Sequence, residues 1–194
     1  MNAKEHITGI ILAGGKSKRM GRDKALVPYK GKMFLEHVID ALKPLVNDML
    51  IVSDHSEYDR FGILRTEDLI KNAGPLAGLY SGLYHSKTEN NLVVSCDVPL
   101  MNTSLLQQLM DENEPSLDMV QFQSGDKTMP LIALYKKRIL PSCWELLESG
   151  ERRLRTFVDT LQTKTIVLDK EVEHHAVNIN TEQDLNELKN EFDH

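Results

Sequence analysis

The run Ile7-Thr8-Gly9-Ile10-Ile11-Leu12-Ala13-Gly14-Gly15-Lys16-Ser17-Lys18-Arg19-Met20-Gly21-Arg22-Asp23-Lys24 passes from apolar residues through paired glycines into a dense set of cations. Ile7, Ile10, Ile11 and Leu12 form a short, branched, apolar stretch of the kind that fills a buried strand of a parallel sheet. Gly14 and Gly15 end it, and adjacent glycines let main-chain N–H groups approach a ligand with no Cβ in the way. Lys16, Lys18, Arg19, Arg22 and Lys24 then crowd together, opposed only by Asp23. Such a cluster is relieved by an anion or by solvent, so a phosphate-binding loop and a solvated surface loop are the two readings. The preceding strand and the glycine pair favour the first. Neither common phosphate fingerprint is present: Gly21 is followed by Arg22 rather than by Lys-Ser/Thr, and Gly14 and Gly15 are adjacent rather than spaced as G-x-G-x-x-G.

Working outward, Phe34, Leu35, Val38, Ile39 and Leu42 recur at helical spacing up to Pro44, and Met49 to Val52 predicts a second buried strand. Strand, glycine loop, helix and strand make a βαβ unit, whose ligands bind at the carboxyl ends of the strands. Ser53-Asp54-His55 falls at such an end, and a short strand is predicted over Gly62 to Arg65, before Glu67-Asp68. From Gly74, a helix carries Leu76, Leu79, Tyr80, Leu83 and Tyr84 on one stripe, with Gly78 and Gly82 inside it. Each of those glycines costs about 1 kcal/mol relative to alanine, so a packed strand or a ligand must come close there.

Leu92 to Cys96 predicts another buried strand, and Asp97-Val98-Pro99-Leu100 ends it. A carboxylate directly after such a strand stands where metals and phosphates bind in α/β folds. The alternative, a helix cap, is better served by Asn102 and Thr103 ahead of Leu105, Leu106, Leu109 and Met110. Asp118 to Gln123 and Thr128 to Tyr135, joined by Ser124-Gly125-Asp126-Lys127, predict a hairpin, so the sheet is mixed. Helices are predicted over Ile139 to Leu147 and Leu154 to Leu161. Arg152, Arg153 and Arg155 open the second, either as an anion site or as a solvated face. Thr165 to Leu168 predicts a late strand. Asn178 and Asn180 alternate with Val177 and Ile179, and Thr181-Glu182-Gln183-Asp184 predicts a capping box for the last helix. His174-His175 reads as a polar loop rather than a metal pair.

The 194 residues, 41% hydrophobic and 27% charged, fit one domain spanning 1–194 with a substantial core. A formal net charge of −6 argues against nucleic acid or anionic membrane as a partner and makes the basic loop a local feature suited to a small anion. Cys96 and Cys143 are too few for a disulfide framework, and no signal peptide or membrane span is visible, so a cytoplasmic location is expected.

Taken in order, these residues resemble the molybdenum cofactor guanylyltransferases, whose pattern runs LAGG-x-S-x-R-M-G-x-D-K, then an Asp with GPLAG, then a strand ending C-D-x-P, then N-x-N-T. Here it stands as Leu12 to Lys24, Asp68 with Gly74 to Gly78, Cys96-Asp97-Val98-Pro99, and Asn178-Ile179-Asn180-Thr181. The resemblance implies an α/β fold of three layers, Rossmann-like, with a mostly parallel central sheet and an antiparallel hairpin component. It also implies transfer of GMP from GTP to the terminal phosphate of molybdopterin, with release of pyrophosphate. In that role Leu12, Ala13, Gly14 and Gly15 line the nucleotide, and Arg19 and Lys24 offset triphosphate charge. Asp97 holds Mg²⁺ and is catalytic with Arg19 and Lys24, while Asp68 and Gly78 lie on the nucleoside side. Asn178, Asn180 and Arg152 lie near the metal or the pterin. Molybdopterin-loading and molybdoenzyme-maturation proteins are the implied protein partners. Two positions depart from the pattern: Ser53-Asp54 stand where the family often carries a nucleotide-contacting Asn, and Asn-Thr is followed by Glu-Gln rather than Pro-Glu. A molybdopterin cytidylyltransferase, a sugar-1-phosphate nucleotidyltransferase and a non-catalytic nucleotide-binding adaptor are the alternatives.

Overall fold

The computed structural model describes residues 6–14 and 23–192. Its strands are β1 (Ile7–Leu12), β2 (Pro28–Tyr29), β3 (Lys32–Met33), β4 (Asp48–Val52), β5 (Leu64–Thr66), β6 (Asn90–Ser95), β7 (Met119–Ser124), β8 (Lys127–Lys136) and β9 (Thr163–Val167). The helices are α1 (Phe34–Leu42), α2 (Gly74–His85), α3 (Thr103–Asp111), α4 (Leu140–Glu148), α5 (Leu154–Val158) and α6 (Glu182–Phe192). Seven strands form one sheet in the order β5-β4-β1-β6-β8-β7-β9. β8 runs antiparallel to both its neighbours, and the other pairings are parallel. This is the mixed sheet the hairpin signal predicts.

Alternation along the strands divides the core into two layers. Ile11, Ile51, Leu92 and Val94 face α1 and α3, packing with Leu35, Val38, Leu42, Leu105 and Leu109. Ile10, Leu12, Val52 and Val93 face the opposite side, with Leu76, Leu79 and Leu83 of α2 and Cys143 and Phe157 beyond. Ile10 and Ile11 are both fully buried, worth about 1.5–3 kcal/mol each in apolar transfer. A smaller cluster of Val27, Tyr29, Phe34, Ile179, Leu185 and Leu188 fastens α6 to the β2–β3 hairpin. That cluster brings the C-terminal segment back to the front of the sheet.

The glycines inside α2 separate into two cases. A Cβ on Gly82 would stand 2.5 Å from Ile10 Cγ2, so there the close neighbour is the central strand. A Cβ on Gly78 would meet Asp68 Oδ1 at 3.6 Å and Leu12 Cδ2 at 3.7 Å, an ordinary contact at the edge of the site.

The caps follow the sequence. Asn102 Oδ1 accepts from Leu105 N at 2.9 Å, while Thr103 Oγ1 donates to Ala41 O at 2.9 Å and pins α3 to α1. Thr181 Oγ1 accepts from Asp184 N at 3.0 Å, and Asp184 Oδ2 accepts from Thr181 N at 2.9 Å. The helix expected over Leu154 to Leu161 is shorter, because α5 ends at Val158. Thr160 Oγ1 donates to Phe157 O at 2.7 Å, a local bond that competes with helix continuation. The β2–β3 hairpin is absent from the sequence-based expectations; it turns at Lys30 (φ 45°) and Gly31 (φ 79°). Among the described residues no helix is long and apolar enough to cross a membrane.

Candidate active site

The carboxyl ends of β1, β4 and β6 are held level by main-chain bonds beyond the strands: Ala13 N donates to Val52 O at 3.0 Å and Cys96 N to Leu12 O at 3.1 Å. Ala13, Gly14, Ser53 and Asp97 therefore emerge along one edge. Gly15, Arg19 and the rest of residues 15–22 lie outside the described residues, so the phosphate-loop reading is carried here by Gly14 and by the point where the chain returns, Asp23-Lys24.

Lys24 begins a 3-10 helix, Lys24–Leu26, capped by Asp23, whose Oδ1 accepts from Ala25 N at 3.0 Å. The Lys24 ammonium reaches across the edge. Its Nζ donates to Asn180 Oδ1 at 2.5 Å and lies 3.8 Å from Asp97 Oδ2. Both side chains are largely sheltered, Lys24 at 19% and Asp97 at 13% exposure, so their attraction is less screened than at an open surface.

Asp97 is fixed from three further directions. Its Oδ1 accepts from Ser95 Oγ at 2.6 Å and from Asn178 Nδ2 at 2.9 Å, and its main-chain oxygen accepts from Ile179 N at 2.8 Å. The alternation in the sequence explains the rest: Ile179 is buried beneath, so Asn178 and Asn180 both turn to the cluster. Asn180 N is anchored in turn by Asp184 Oδ2 at 2.7 Å, and this bond heads the causes that hold the Asp184 carboxyl below its ordinary range. The structure thus joins four of the predicted residues, Lys24, Asp97, Asn178 and Asn180. Sequence reasoning missed Ser95, although a hydroxyl two residues before Asp97 on the same strand face was a usable signal. It also missed the Tyr58 hydroxyl, which donates to Asp23 Oδ1 and Oδ2 at 2.7 and 2.6 Å.

Asp68 occupies the other end of the edge. A Cβ on Gly14 would lie 3.6 Å from its Oδ2, and one on Gly78 would lie 3.6 Å from its Oδ1. Asp68 Oδ1 is buried and has no hydrogen-bond partner among the described residues. Burial first, and the nearby Asp54 carboxylate second, push the Asp68 carboxyl above its ordinary range. Asp54 itself is held low by the bond from Lys71 Nζ at 2.6 Å, and its Oδ1 also accepts from Asp68 N at 3.3 Å. Ser53 is fully buried, its Oγ accepting from His55 N at 3.1 Å.

Arg152 has different surroundings from the Asp97 cluster. Its Nη1 donates to Leu147 O at 2.7 Å and to Glu151 O at 2.9 Å, closing the end of α4, and its own carbonyl faces Gly74. Arg153 pairs with Glu151 at 2.8 Å. The five-residue α5 behind them is too short to act as an anion-binding helix terminus. His175 Nδ1 is bonded to Leu100 O at 3.0 Å, and no group of three His, Cys, Asp or Glu suited to a metal occurs among the described residues.

A mostly parallel α/β sheet with Gly14, Lys24 and Asp97 at its carboxyl edge marks a nucleotide-binding type of α/β protein. The chain belongs to the MobA-like NTP transferase domain family, whose model matches residues 9–165. It is 37% identical over 184 residues to the probable molybdenum cofactor guanylyltransferase of Flavobacterium johnsoniae, covering 95% of this chain and 97% of that protein. It is 32% identical to the molybdenum cofactor guanylyltransferase of Vibrio parahaemolyticus, covering 91% of each. Among solved structures, molybdopterin-guanine dinucleotide biosynthesis protein A of Archaeoglobus fulgidus shares the fold with a TM-score of 0.81, at 23% identity and over 94% of this chain and 97% of that one. The family match ends before Asn178, so the two asparagines join the site from beyond it.

Proposed function

We propose that this protein transfers GMP from GTP to the terminal phosphate of molybdopterin, forming the guanine dinucleotide form of the molybdenum cofactor and releasing pyrophosphate. The observation that carries this reading is the convergence of Lys24, Asp97, Asn178 and Asn180 at one sheet edge, in a chain aligned end to end with molybdenum cofactor guanylyltransferases. An oxygen of the pterin phosphate attacks the α-phosphorus of GTP, and the bond to the bridging oxygen of the β-phosphate breaks. The nucleophile is already anionic, so no general base is required and the protein's work is alignment and charge neutralisation.

Lys24 supplies fixed positive charge beside the triphosphate, and Arg19 is assigned the same work from the loop. Gly14 and Gly15 admit the phosphates, with Leu12 and Ala13 behind them. Asp97 fits Mg²⁺: its Oδ1 is committed to Ser95 and Asn178, which leaves Oδ2 directed toward Lys24. One carboxylate completed by phosphate oxygens and water is the usual arrangement for this ion. Bound there, Mg²⁺ would neutralise charge on the phosphates. Asn180 orients Lys24, and Asn178 orients Asp97.

The unpartnered Asp68 oxygen supports guanine as the base. Guanine offers adjacent N1–H and N2–H donors that one carboxylate accepts together, whereas cytosine has an acceptor at the corresponding ring nitrogen. Gly78 leaves space beside that oxygen. Two buried free thiols, Cys96 and Cys143, are compatible with a reducing cytoplasm, and delivery of the product to molybdoenzyme-maturation proteins belongs to the same reading.

The test is pyrophosphate release from each nucleoside triphosphate with molybdopterin and Mg²⁺. Turnover specific to GTP is the expected result. A preference for CTP would make the protein a cytidylyltransferase, and transfer only to a sugar phosphate would remove molybdopterin as acceptor. Chelation with EDTA should abolish turnover, and added Mg²⁺ should restore it.

A further inference from the structure

Tyr58 lies outside every role assigned above, yet its hydroxyl bonds the residue next to Lys24. It sits on the 3-10 helix Ser56–Phe61 that follows β4, with its ring in the core shared by α1 and α3 and only 1% of its surface exposed. Its hydroxyl points at the middle of the Asp23 carboxylate, 2.7 Å from Oδ1 and 2.6 Å from Oδ2. The same Oδ1 accepts from Ala25 N at 3.0 Å and so caps the short helix on which Lys24 stands. Asp23 is where the chain rejoins the described fold after residues 15–22. A rigid, buried phenol therefore fixes the starting point of Lys24.

The identity of the donor matters as much as its position. Asp23 is the only carboxylate in a stretch holding Lys16, Lys18, Arg19, Arg22 and Lys24. An arginine or lysine partner would add another positive charge. A tyrosine hydroxyl satisfies the anion with a charge-assisted bond and carries no charge itself. Burial and the Asp23 carboxylate both raise the Tyr58 phenol well above its ordinary range, so it stays a donor throughout the working pH range.

We propose that Tyr58 is a positioning residue for nucleotidyl transfer: by holding the Asp23 carboxylate, which caps the short helix that Lys24 opens, it sets the base of Lys24. This rests on the reading of Lys24 as a triphosphate ligand.

The experiment is a double-mutant cycle on the full chain, with Tyr58→Phe in the wild-type and Lys24→Ala backgrounds, using whichever nucleoside triphosphate the wild type transfers. Tyr58→Phe keeps the ring and removes only the donor. In the wild-type background we expect kcat/KM to fall roughly tenfold, the order of one hydrogen bond to a charged group. In the Lys24→Ala background the same change should alter kcat/KM by less than about twofold, because the residue it positions is gone. Asp23→Asn is the second variant: it can still cap Ala25 but turns one of the two hydroxyl acceptors into a donor, and it should show the same dependence on Lys24. Equal losses in both backgrounds, or a lowered Tm with wild-type kcat/KM for the folded enzyme, would overturn the proposal. A wild type that prefers another nucleotide would break the guanylyl reading alone and leave the cycle readable.

Discussion

Asp97 and Asp68 are carboxylates at the same edge of the same sheet, and the protein treats them in opposite ways. Asp97 is surrounded: Ser95 and Asn178 bond one oxygen, Lys24 approaches the other, and Ile179 holds its main chain. Asp68 has one oxygen buried and unpartnered, and its carboxyl is raised by burial and by Asp54. A buried acceptor without a donor costs about 1–3 kcal/mol, which a ligand can recover on binding. The difference separates two tasks. Under the proposed function, charge handling would be preorganised by the chain itself, as electrostatic catalysis requires, whereas base recognition would be left incomplete until the base arrives.

Breaking the Asp97 half should have the largest effect. Asp97→Ala and Lys24→Ala are each expected to lower kcat by about 10²–10³, or 2.7–4 kcal/mol, the usual cost of one preorganised charge-stabilising group. Circular dichroism and Tm should show the fold retained. Wild-type turnover by either variant would refute its role.

The Asp68 half should respond more mildly and in KM. Asp68→Asn is expected to lower kcat/KM for GTP by roughly 10–100-fold, about 1–3 kcal/mol for a lost bidentate base contact, with kcat at saturation nearly unchanged. The raised carboxyl adds a pH signature. As pH falls below neutrality, Asp68 takes up its proton earlier than an ordinary carboxylate and loses an acceptor, so KM for GTP should rise with a midpoint above the ordinary carboxylate range. Asp68→Asn should flatten that profile. Stability runs the other way: because the folded-state value is raised, the penalty of the charged form appears as pH rises from the ordinary carboxylate value through the raised one. Asp68→Asn should therefore be slightly more heat-stable than wild type at pH 7, and a lower Tm would argue that Asp68 has a protein partner after all.

The glycines of α2 test the same division on one helix. Gly82→Ala forces a Cβ to within 2.5 Å of Ile10 Cγ2 on the central strand, and overpacking of this kind costs about 1–3 kcal/mol, of which the helix propensity gained offsets about 1 kcal/mol. For a chain of this size the net is a fall in Tm of up to roughly 8 °C, with little change in KM for GTP. Gly78→Ala has space for its Cβ and gains helix propensity of about 1 kcal/mol, so Tm should hold or rise. Its methyl group faces Asp68 Oδ1, so KM for GTP should increase. The opposite pattern would mean that the base pocket is not beside Gly78.

Sequence periodicity was enough for the sheet, its hairpin and the main helices, because burial on two faces writes apolar runs that fall at strand and helix spacing. Asp97 was legible for the same reason, as a charge directly after such a run. The glycines announced a close approach but not what approached, since a strand methyl and a ligand pocket make the same demand for a missing Cβ. Pairings between distant segments left no trace in the periodicity, and only the resemblance grouped Lys24, Asp97, Asn178 and Asn180. Nothing at Tyr58 indicates Asp23, and nothing at Lys24 indicates Asn180, because those contacts depend on how the β2–β3 hairpin and α6 close over Val27, Phe34 and Ile179. Arg152 shows the converse: three arginines in four positions resemble an anion site, yet the guanidinium of Arg152 serves carbonyl oxygens at the end of α4.

Arg152 therefore gives the smallest of the expected effects and the sharpest boundary for the site. Its Nη1 adds a second donor to Leu147 O, which already accepts from Gly150 N at 3.1 Å, and ties the end of α4 to Glu151 O in the loop beyond it. Losing these bonds in Arg152→Ala should cost about 0.5–1.5 kcal/mol and lower Tm by a few degrees, while KM for the pterin substrate stays at the wild-type value. Arg152→Lys should recover part of the loss, because both bonds come from the single Nη1 nitrogen and an ammonium also carries several donors. A raised pterin KM with an unchanged Tm would instead extend the acceptor site from Asn178 and Asn180 to Arg152, on the far side of Gly74, and would place the pterin phosphate among the arginines.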